Sequence, residues 1–497
     1  MPVSTATPWA TVLATVTLLT SALASLQDCL NEVCAGRSDC VAFADDGLDV
    51  FNTYQSNWVK PYNLAVHVSP AAVIRPKSSD EVASIVKCAV ENDSKVQAKS
   101  GGHSYANFGL GDGAVAIDLV NINDYSFDNT TGYAKIGAGL RLGEIDAYLH
   151  KTGRAFAHGV CPSVGIGGHA TIGGLGPMSR MWGPALDHIV EVEVVTANGT
   201  IVRANEDENN DLFLALRGAG ASFGVITEFV MRTHPEPGNV IQYTFDITIA
   251  DNPARLTDVY MQWQTLVLDP SLDRRFGTEL ITWLGGIIIT GTFYGTEDEF
   301  QETGITQRLP GNGTIEVADW LGSLAALAEK ETLYLATVSS NFYAKSLGFR
   351  REDALSKESA IDLFEYAQGL DKGTLLWFII FDAAGGAVAD VPSNATAYAH
   401  RDKYMFYQSY AVDLLDLSDT TVTFLNDFHE ELVGMLPNNT MTRGTYPGYV
   451  DLNISGIPQK QYWGENLSRL ERIKSAWDPK DIFHNPQSVR GLEDKMV

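Results

Sequence analysis

Basic residues are scarce. The 497-residue chain sets 35 Lys and Arg against 61 Asp and Glu, a formal net charge of −26. That sign leaves no footprint for nucleic acid, whose phosphates call for clustered cations, and it disfavours anionic membrane surfaces. The acidic residues are spread along the chain rather than run together, the texture of a solvated surface. After residue 24 no apolar run is long enough to span a bilayer, so no membrane association is expected. Cysteine is sparse: Cys29, Cys34, Cys40, Cys88 and Cys161 are the whole set. None stands in a CxxC or a Cys/His cluster at zinc spacing, so no metal site is expected. No internal repeat or low-complexity linker interrupts the chain.

What is present is ordinary for a soluble globular protein, with 45% hydrophobic and 19% charged residues. The length exceeds what one hydrophobic core serves, so two domains are expected. Residues 1–24 read as a secretory signal: an apolar stretch from Trp9 to Leu23 ends in Ala22-Leu23-Ala24, a small-x-small cleavage pattern, although no Lys or Arg precedes it. Eight N-x-S/T triplets, at Asn92, Asn129, Asn198, Asn312, Asn394, Asn438, Asn453 and Asn466, agree with export and glycosylation. In an exported chain an odd cysteine count leaves one thiol for another purpose.

Two glycine-rich loops organise the rest. The first is Lys99-Ser100-Gly101-Gly102-His103-Ser104-Tyr105; the second runs from His158-Gly159-Val160-Cys161-Pro162-Ser163 through Val164-Gly165-Ile166-Gly167-Gly168-His169. Glycine lets backbone N–H groups approach a phosphate, because no Cβ stands in the way. Each loop also carries a side chain nucleophilic enough to attack an electron-poor ring, His103 in one and Cys161 in the other. In order and spacing the pair resembles the flavin-binding signature of the vanillyl-alcohol oxidase superfamily, most nearly its berberine-bridge-like branch, which includes fungal secreted oligosaccharide oxidases. The resemblance runs from about Cys29 to Pro486.

The resemblance implies an α+β fold: a two-part FAD-binding domain of the vanillyl-alcohol oxidase type plus a substrate domain with an antiparallel sheet flanked by helices. It implies FAD attached twice, through His103 at the flavin 8α carbon and through Cys161 at C6. Further FAD contacts are expected from Lys99, Ser100, Gly101, Gly102, Ser104, Gly165, Gly168, His169, Gly173 and Gly174, and from the backbone of Phe223, Gly224, Val225 and Ile226. It also implies a Cys29–Cys88 disulfide. With Cys161 on the flavin, Cys34 and Cys40 then pair by elimination.

Along the chain, 25–65 reads as an irregular N-terminal arm and 66–236 as the FAD-binding domain. The latter has strands at Ala72–Pro76, Val96–Lys99, Ala114–Leu119, Tyr133–Gly139, Ile189–Thr196, Ile201–Arg203 and Phe223–Phe229. Helices are expected at Asp80–Asn92, where Val82, Ile85, Val86 and Ala89 share a face, at Leu142–Thr152, and at Asp211–Gly220. Pro235-Glu236-Pro237-Gly238 marks a boundary. Residues 237–460 are assigned to substrate binding, with strands at Ile241–Ile249, Thr278–Trp283, Gly286–Phe293 and Leu375–Phe381 and a helix at Thr257–Leu268. Residues 461–497 return to the FAD-binding domain, starting with a helix from Tyr462 toward His484.

An alcohol oxidase needs a hydride acceptor and a base within hydrogen-bond reach of the substrate hydroxyl. Tyr446-Pro447-Gly448-Tyr449-Val450-Asp451 resembles the family's Tyr-x-Asn-Tyr-x-Asp segment, with Gly448 in place of Asn, and makes Tyr449 the candidate base. Asp382 matches its partner, and Tyr105 matches a position on the flavin's substrate face. Glu279, Phe378, Ile380, Gln408 and Tyr446 are the candidate substrate contacts. Phe378–Phe381 is apolar where some sugar oxidases offer more tryptophan and a glutamine, and flat apolar side chains suit an aromatic ring as well as a sugar face. The expected substrate is a small hydroxylated molecule, a phenolic or polyketide-type fungal specialised metabolite, oxidised with oxygen as acceptor. The alternative is an oligosaccharide oxidised at its reducing-end C1. A monomer is expected.

Overall fold

The computed structural model describes residues 25–44, 53–248, 252–284, 286–311, 313–333, 338–413, 415–437 and 444–492. The expected signal 1–24, the triplets at Asn312 and Asn438, the strand end at Ile249 and the final residues 493–497 of the C-terminal return lie outside them.

The first sheet holds β1 (Val41–Phe43), β2 (Ala72–Ile74), β3 (Val96–Lys99) and β4 (Val115–Asp118) in the order β1-β2-β4-β3. β2, β4 and β3 run parallel and β1 antiparallel. A parallel pair needs a crossover, and helix Ser79–Glu91 supplies one. Ser78 caps it by accepting from the Glu81 N–H, and Asp80 and Glu81 face the positive end of the helix dipole. Val82, Ile85, Val86 and Ala89 are its buried face. β3 ends at Lys99, so the first glycine loop leaves the carboxyl end of a parallel strand, the usual place for a ligand in such sheets.

Next come β5 (Tyr125–Asp128), β6 (Tyr133–Gly137), β7 (Arg154–Ala155), β8 (Ile189–Val195), β9 (Ile201–Asn205), β10 (Val225–Arg232) and β11 (His234–Pro235). β7 and β11 form a two-stranded ribbon; the others form an antiparallel sheet in the order β5-β6-β10-β8-β9. Both sheets share one core with the C-terminal segment, in which Ile74, Ile117, Ile136, Val192, Phe229, Leu470 and Phe483 are buried together.

The third layer holds β12 (Asn239–Thr248), β13 (Phe276–Trp283), β14 (Gly286–Tyr294), β15 (Thr314–Asp319), β16 (Asn341–Phe349), β17 (Leu376–Ala383) and β18 (Met405–Asp413). They pair antiparallel in the order β15-β12-β14-β13-β17-β18-β16. Leu280, Ile379, Phe381 and Tyr407 point to one face and pack in a core with residues of helices Pro253–Leu268, Lys357–Gly369 and Asp419–Met435. Side chains of opposite parity, among them Glu279, Ile281, Ile380, Asp382, Gln408 and Tyr410, line a cavity shared with the two glycine loops.

Two expectations need correction. The N-terminal arm is not irregular throughout: residues 25–34 are helical, because Leu26, Leu30 and Cys34 fall four apart on one buried face. The C-terminal stretch is not one helix from Tyr462 to His484. Pro458–Trp463 is a short turn of helix, Gly464 takes φ 48°, and the main helix is Leu467–Trp477. Lys474 in its last turn is fully buried and bonds Asp478 at 2.7 Å and the carbonyls of Ser222 and Phe483 at 2.8 and 3.0 Å. Both disulfides form as expected, Cys29–Cys88 and Cys34–Cys40.

Candidate active site

The two glycine loops cross at Gly101 and Gly165. A Cβ on Gly101 would lie 2.2 Å from the Gly165 nitrogen, and one on Gly165 would lie 2.0 Å from the Gly101 nitrogen. Only glycine at both positions allows this approach. Ser100 fastens the crossing: its hydroxyl donates to the Ala138 carbonyl at 2.6 Å and accepts from the Gly167 N–H at 3.3 Å. The second loop is held along the start of helix Leu142–His150, with Leu142 N–H donating to the Val164 carbonyl and Ile166 N–H to that of Leu140.

The crossing forms one wall of a cavity of about 430 Å³. Lys99 through Tyr105 line it on one side, and Cys161, Val164, Gly165, Gly168 and His169 on another. A Cβ at Gly168 would meet nothing within 4 Å, so the backbone there opens onto free volume. Lys99 is buried, and burial lowers its pKa, while Asp118 at 3.9 Å acts the other way. His169 accepts the Gly159 N–H on Nε2, and burial holds it neutral, at about 3. A backbone-lined trough with two glycines in close approach, an imidazole and a buried thiol on one wall fits FAD. Lys99, Ser100, Gly101, Gly102, Ser104, Gly165, Gly168 and His169 would hold it there.

His103 and Cys161 lie near each other at this wall. His103 is neutral, since burial and then Arg141 depress its pKa to about 4. The Tyr62 ring lies 4.5 Å from its ring centroid. The Ser163 hydroxyl sits 3.0 Å from His103 Nε2 and 3.3 Å from Cys161 Sγ.

The opposite wall carries the acid-base groups. β13 and β17 pair with Glu279 directly across from Asp382. Asp382 is hydrogen-bonded to both Glu279 and Tyr449; burial nevertheless lifts its carboxyl to about 6, against the lowering effect of those two bonds. Tyr449 stacks on Tyr105 at 6.3 Å and meets the edge of Tyr446 at 5.0 Å. The Gln408 amide donates to the Tyr105 hydroxyl at 3.0 Å. A phenol, two carboxyls, a second phenol and one amide therefore converge beside Ile281, Ile380 and Tyr410, on a wall to which Thr278, Thr290 and Thr292 also belong.

Other candidate residues sit differently. Tyr446 touches the cavity, yet its hydroxyl accepts from Gly174 N–H at 2.9 Å and Leu175 N–H at 3.4 Å, so its polar end is occupied by backbone. Gly173 and Gly174, at φ 145° and 81°, make room for that contact: a Cβ on Gly173 would fall 2.6 Å from the Tyr446 ring. Gly448 is closed in the same way, with Tyr446 2.5 Å from where its Cβ would stand. Phe378 lies off the cavity wall, packed with Tyr62, Ile281, Phe342 and Tyr410. Phe223, Gly224, Val225 and Ile226 are buried behind the wall, which Ala221 reaches instead. Sequence reasoning passed over Ser163, Tyr62, and the pairing of Glu279 with Asp382. Ser163 stood within the second loop, but nothing in one sequence says what faces its hydroxyl.

Comparison with known proteins agrees with this geometry. The FAD binding domain family matches residues 70–205, and the Berberine and berberine like family matches residues 445–490, the segment that carries Tyr446 and Tyr449. The FAD-linked oxidoreductase sorD of Penicillium rubens is 38% identical over 95% of this chain and 99% of its own. The solved xylooligosaccharide oxidase from Myceliophthora thermophila C1, in complex with xylobiose, superposes with a TM-score of 0.84 at 30% identity, over 94% of this chain and 99% of that one. A glucooligosaccharide oxidase from Acremonium strictum, described with a 6-S-cysteinyl, 8α-N1-histidyl FAD, superposes with a TM-score of 0.80 at 29% identity, over 94% and 99%. This chain belongs to the berberine-bridge-like family of FAD-linked oxidoreductases of the vanillyl-alcohol oxidase superfamily.

Proposed function

We propose that the protein is a secreted, monomeric oxidase whose FAD is bonded to both His103 and Cys161. Its substrate is a small hydroxylated aromatic, a phenolic or polyketide-type specialised metabolite, and oxygen leaves as hydrogen peroxide. The observation that carries this reading is the wall around Tyr449. Tyr449, Asp382 and Glu279 form one polar cluster, and the neighbouring sheet positions are Ile281 and Ile380 with the rings of Tyr105 and Tyr410. Aromatic rings and two isoleucines beside a single acid-base cluster suit an aromatic alcohol.

FAD, when bound, supplies the hydride acceptor. The Tyr449 oxygen takes the proton of the substrate hydroxyl. A free phenol has pKa near 10 and is a poor base at neutral pH. Asp382 compensates by taking the phenolic proton as Tyr449 receives the substrate's, and Glu279 shares a proton with Asp382 so that the two carboxyls need not both ionise in one buried place. Tyr105, fixed by Gln408, covers the substrate. The net reaction removes two hydrogens from a carbinol and delivers them to dioxygen.

Gln408 favours a second reading, in which its amide binds sugar hydroxyls and the substrate is an oligosaccharide oxidised at C1. The names of the xylo- and glucooligosaccharide oxidases lend it weight. A peroxide assay over cello-, xylo- and chito-oligosaccharides beside phenols and polyketide alcohols separates the two. Peroxide with an aromatic alcohol and none with any sugar is expected, and lactone formation from a sugar would give the substrate to the second reading. Turnover with a dye but not with oxygen would refute the oxidase.

Secretion rests on the disulfides and on Asn129, Asn198 and Asn394, which are exposed. Asn466 is buried, its amide donating to the carbonyls of Ser393, Thr396 and Ala397, and is not a glycan acceptor in the folded protein. No helix among the described residues is long and apolar enough to cross a membrane. Residues 66–236 with 461–497 are assigned to FAD and 237–460 to the substrate.

A further inference from the structure

Ser163 lies between the two nucleophiles, although His103 and Cys161 come from separate loops. A hydroxyl has one proton to donate and lone pairs to accept with. In one of the two orientations that pair both neighbours, His103 Nε2–H donates to the serine oxygen and the serine O–H donates to Cys161 Sγ. The lone pair of a neutral imidazole then sits on Nδ1, and the serine proton fixes the direction of the sulfur. The reverse orientation puts a proton on Nδ1 and ties the nucleophilic lone pair to the serine. The Tyr62 ring, 4.5 Å from the imidazole, restricts its rotation.

We infer that Ser163 is the positioning residue that prepares both flavin attachments, directing bond formation to His103 Nδ1 and orienting the Cys161 sulfur. The inference rests on the double-tether reading proposed above. Each attachment balances with dioxygen as oxidant. At His103 one methyl C–H and one imidazole N–H are lost, an N–C bond forms, and the two hydrogens leave as hydrogen peroxide. At Cys161 one ring C–H and one S–H are lost, an S–C bond forms, and a second peroxide leaves. In both, Ser163 only holds hydrogen bonds, so it is not consumed.

The test uses the secreted protein and its Ser163→Ala, Ser163→Thr and Ser163→Val forms. Thr and Val have nearly the same shape and differ in the hydroxyl, so their comparison stands even if the alanine form fails to fold. Flavinylated peptides are weighed to count bonds, and NMR of the histidyl-flavin fragment separates Nδ1 from Nε2 attachment. Unmodified protein and Ser163→Thr are expected to be doubly tethered through Nδ1. In Ser163→Ala and Ser163→Val the doubly tethered fraction falls below half and Nε2 attachment appears, consistent with losing an orienting hydrogen bond and slowing a step by up to roughly 10-fold. Complete double tethering through Nδ1 alone in folded Ser163→Val would overturn the inference and leave the double-tether reading intact. A single bond or none in the unmodified protein would overturn that reading and the inference with it.

Discussion

Replacing Tyr449 with phenylalanine removes one hydroxyl and little else. The ring keeps its contacts with Tyr105 and Tyr446, whose centroids lie 6.3 and 5.0 Å away. The lost interaction is the hydrogen bond to Asp382, worth about 1 kcal/mol in stability. In a chain of this size that lowers the melting temperature by at most a few degrees. Turnover should respond far more, because the group proposed to receive the substrate proton is gone. Loss of a general base costs about 10²–10⁴-fold, or roughly 2.7–5.5 kcal/mol in the barrier. The assay is anaerobic bleaching of the flavin's visible band on rapid mixing with substrate, so that oxygen chemistry does not enter. Asp382→Asn should also be slow, and the double variant should be no slower than the worse single one, since groups acting as a unit are not additive. Flavin reduction in Tyr449→Phe at the unmodified rate, with tethers and fold intact, would refute the assignment. Losses that multiply in the double variant would refute the coupling.

The acid limb of kcat/KM should lie near pH 6, where Asp382 titrates; the carboxylate is the form that accepts from Tyr449, so activity rises as pH climbs through that value, and a flat acid side would refute it. The bond from Glu279 lowers the Asp382 pKa, so Glu279→Ala should move this limb to higher pH, while Glu279→Gln, which keeps a donor, moves it less. Gly165→Ala places a Cβ 2.0 Å from the Gly101 nitrogen and 2.1 Å from the Ser100 hydroxyl; the loops must part, and purified protein should lack the flavin spectrum and lose about 1–3 kcal/mol of stability. Tyr446→Phe strips the acceptor from the Gly174 and Leu175 N–H groups, a loss of about 1–3 kcal/mol visible in denaturant unfolding, while anaerobic flavin reduction stays closer to normal than in Tyr449→Phe.

Local chemistry was legible in the sequence wherever it repeats along the chain or is confined to one loop. The glycine loops are read from composition, because only residues without a Cβ allow Gly101 and Gly165 to touch. Val82, Ile85, Val86 and Ala89 announce a helix by their spacing, and β17 is legible as an apolar run ending in Asp382. Other elements carry no such period. β16 is buried along nearly its whole length, so it shows no alternation, and it contains Lys345, a residue that reads as exposed until Asp451 is found 2.7 Å away. That partner lies in a segment distant in sequence. Register and proximity are likewise beyond a single chain read alone. Whether Glu279 faces Asp382 or its neighbour depends on a one-residue choice of strand pairing, and a slip would send the carboxyl to the helix side. Ser163 reaches His103 only because the loops cross. The sequence by itself determined which groups were available for the chemistry: the imidazole, the thiol, the phenol and the carboxyl. Tertiary structure alone decided which of them share a proton, because that depends on distances of about 3 Å between atoms scattered along hundreds of residues.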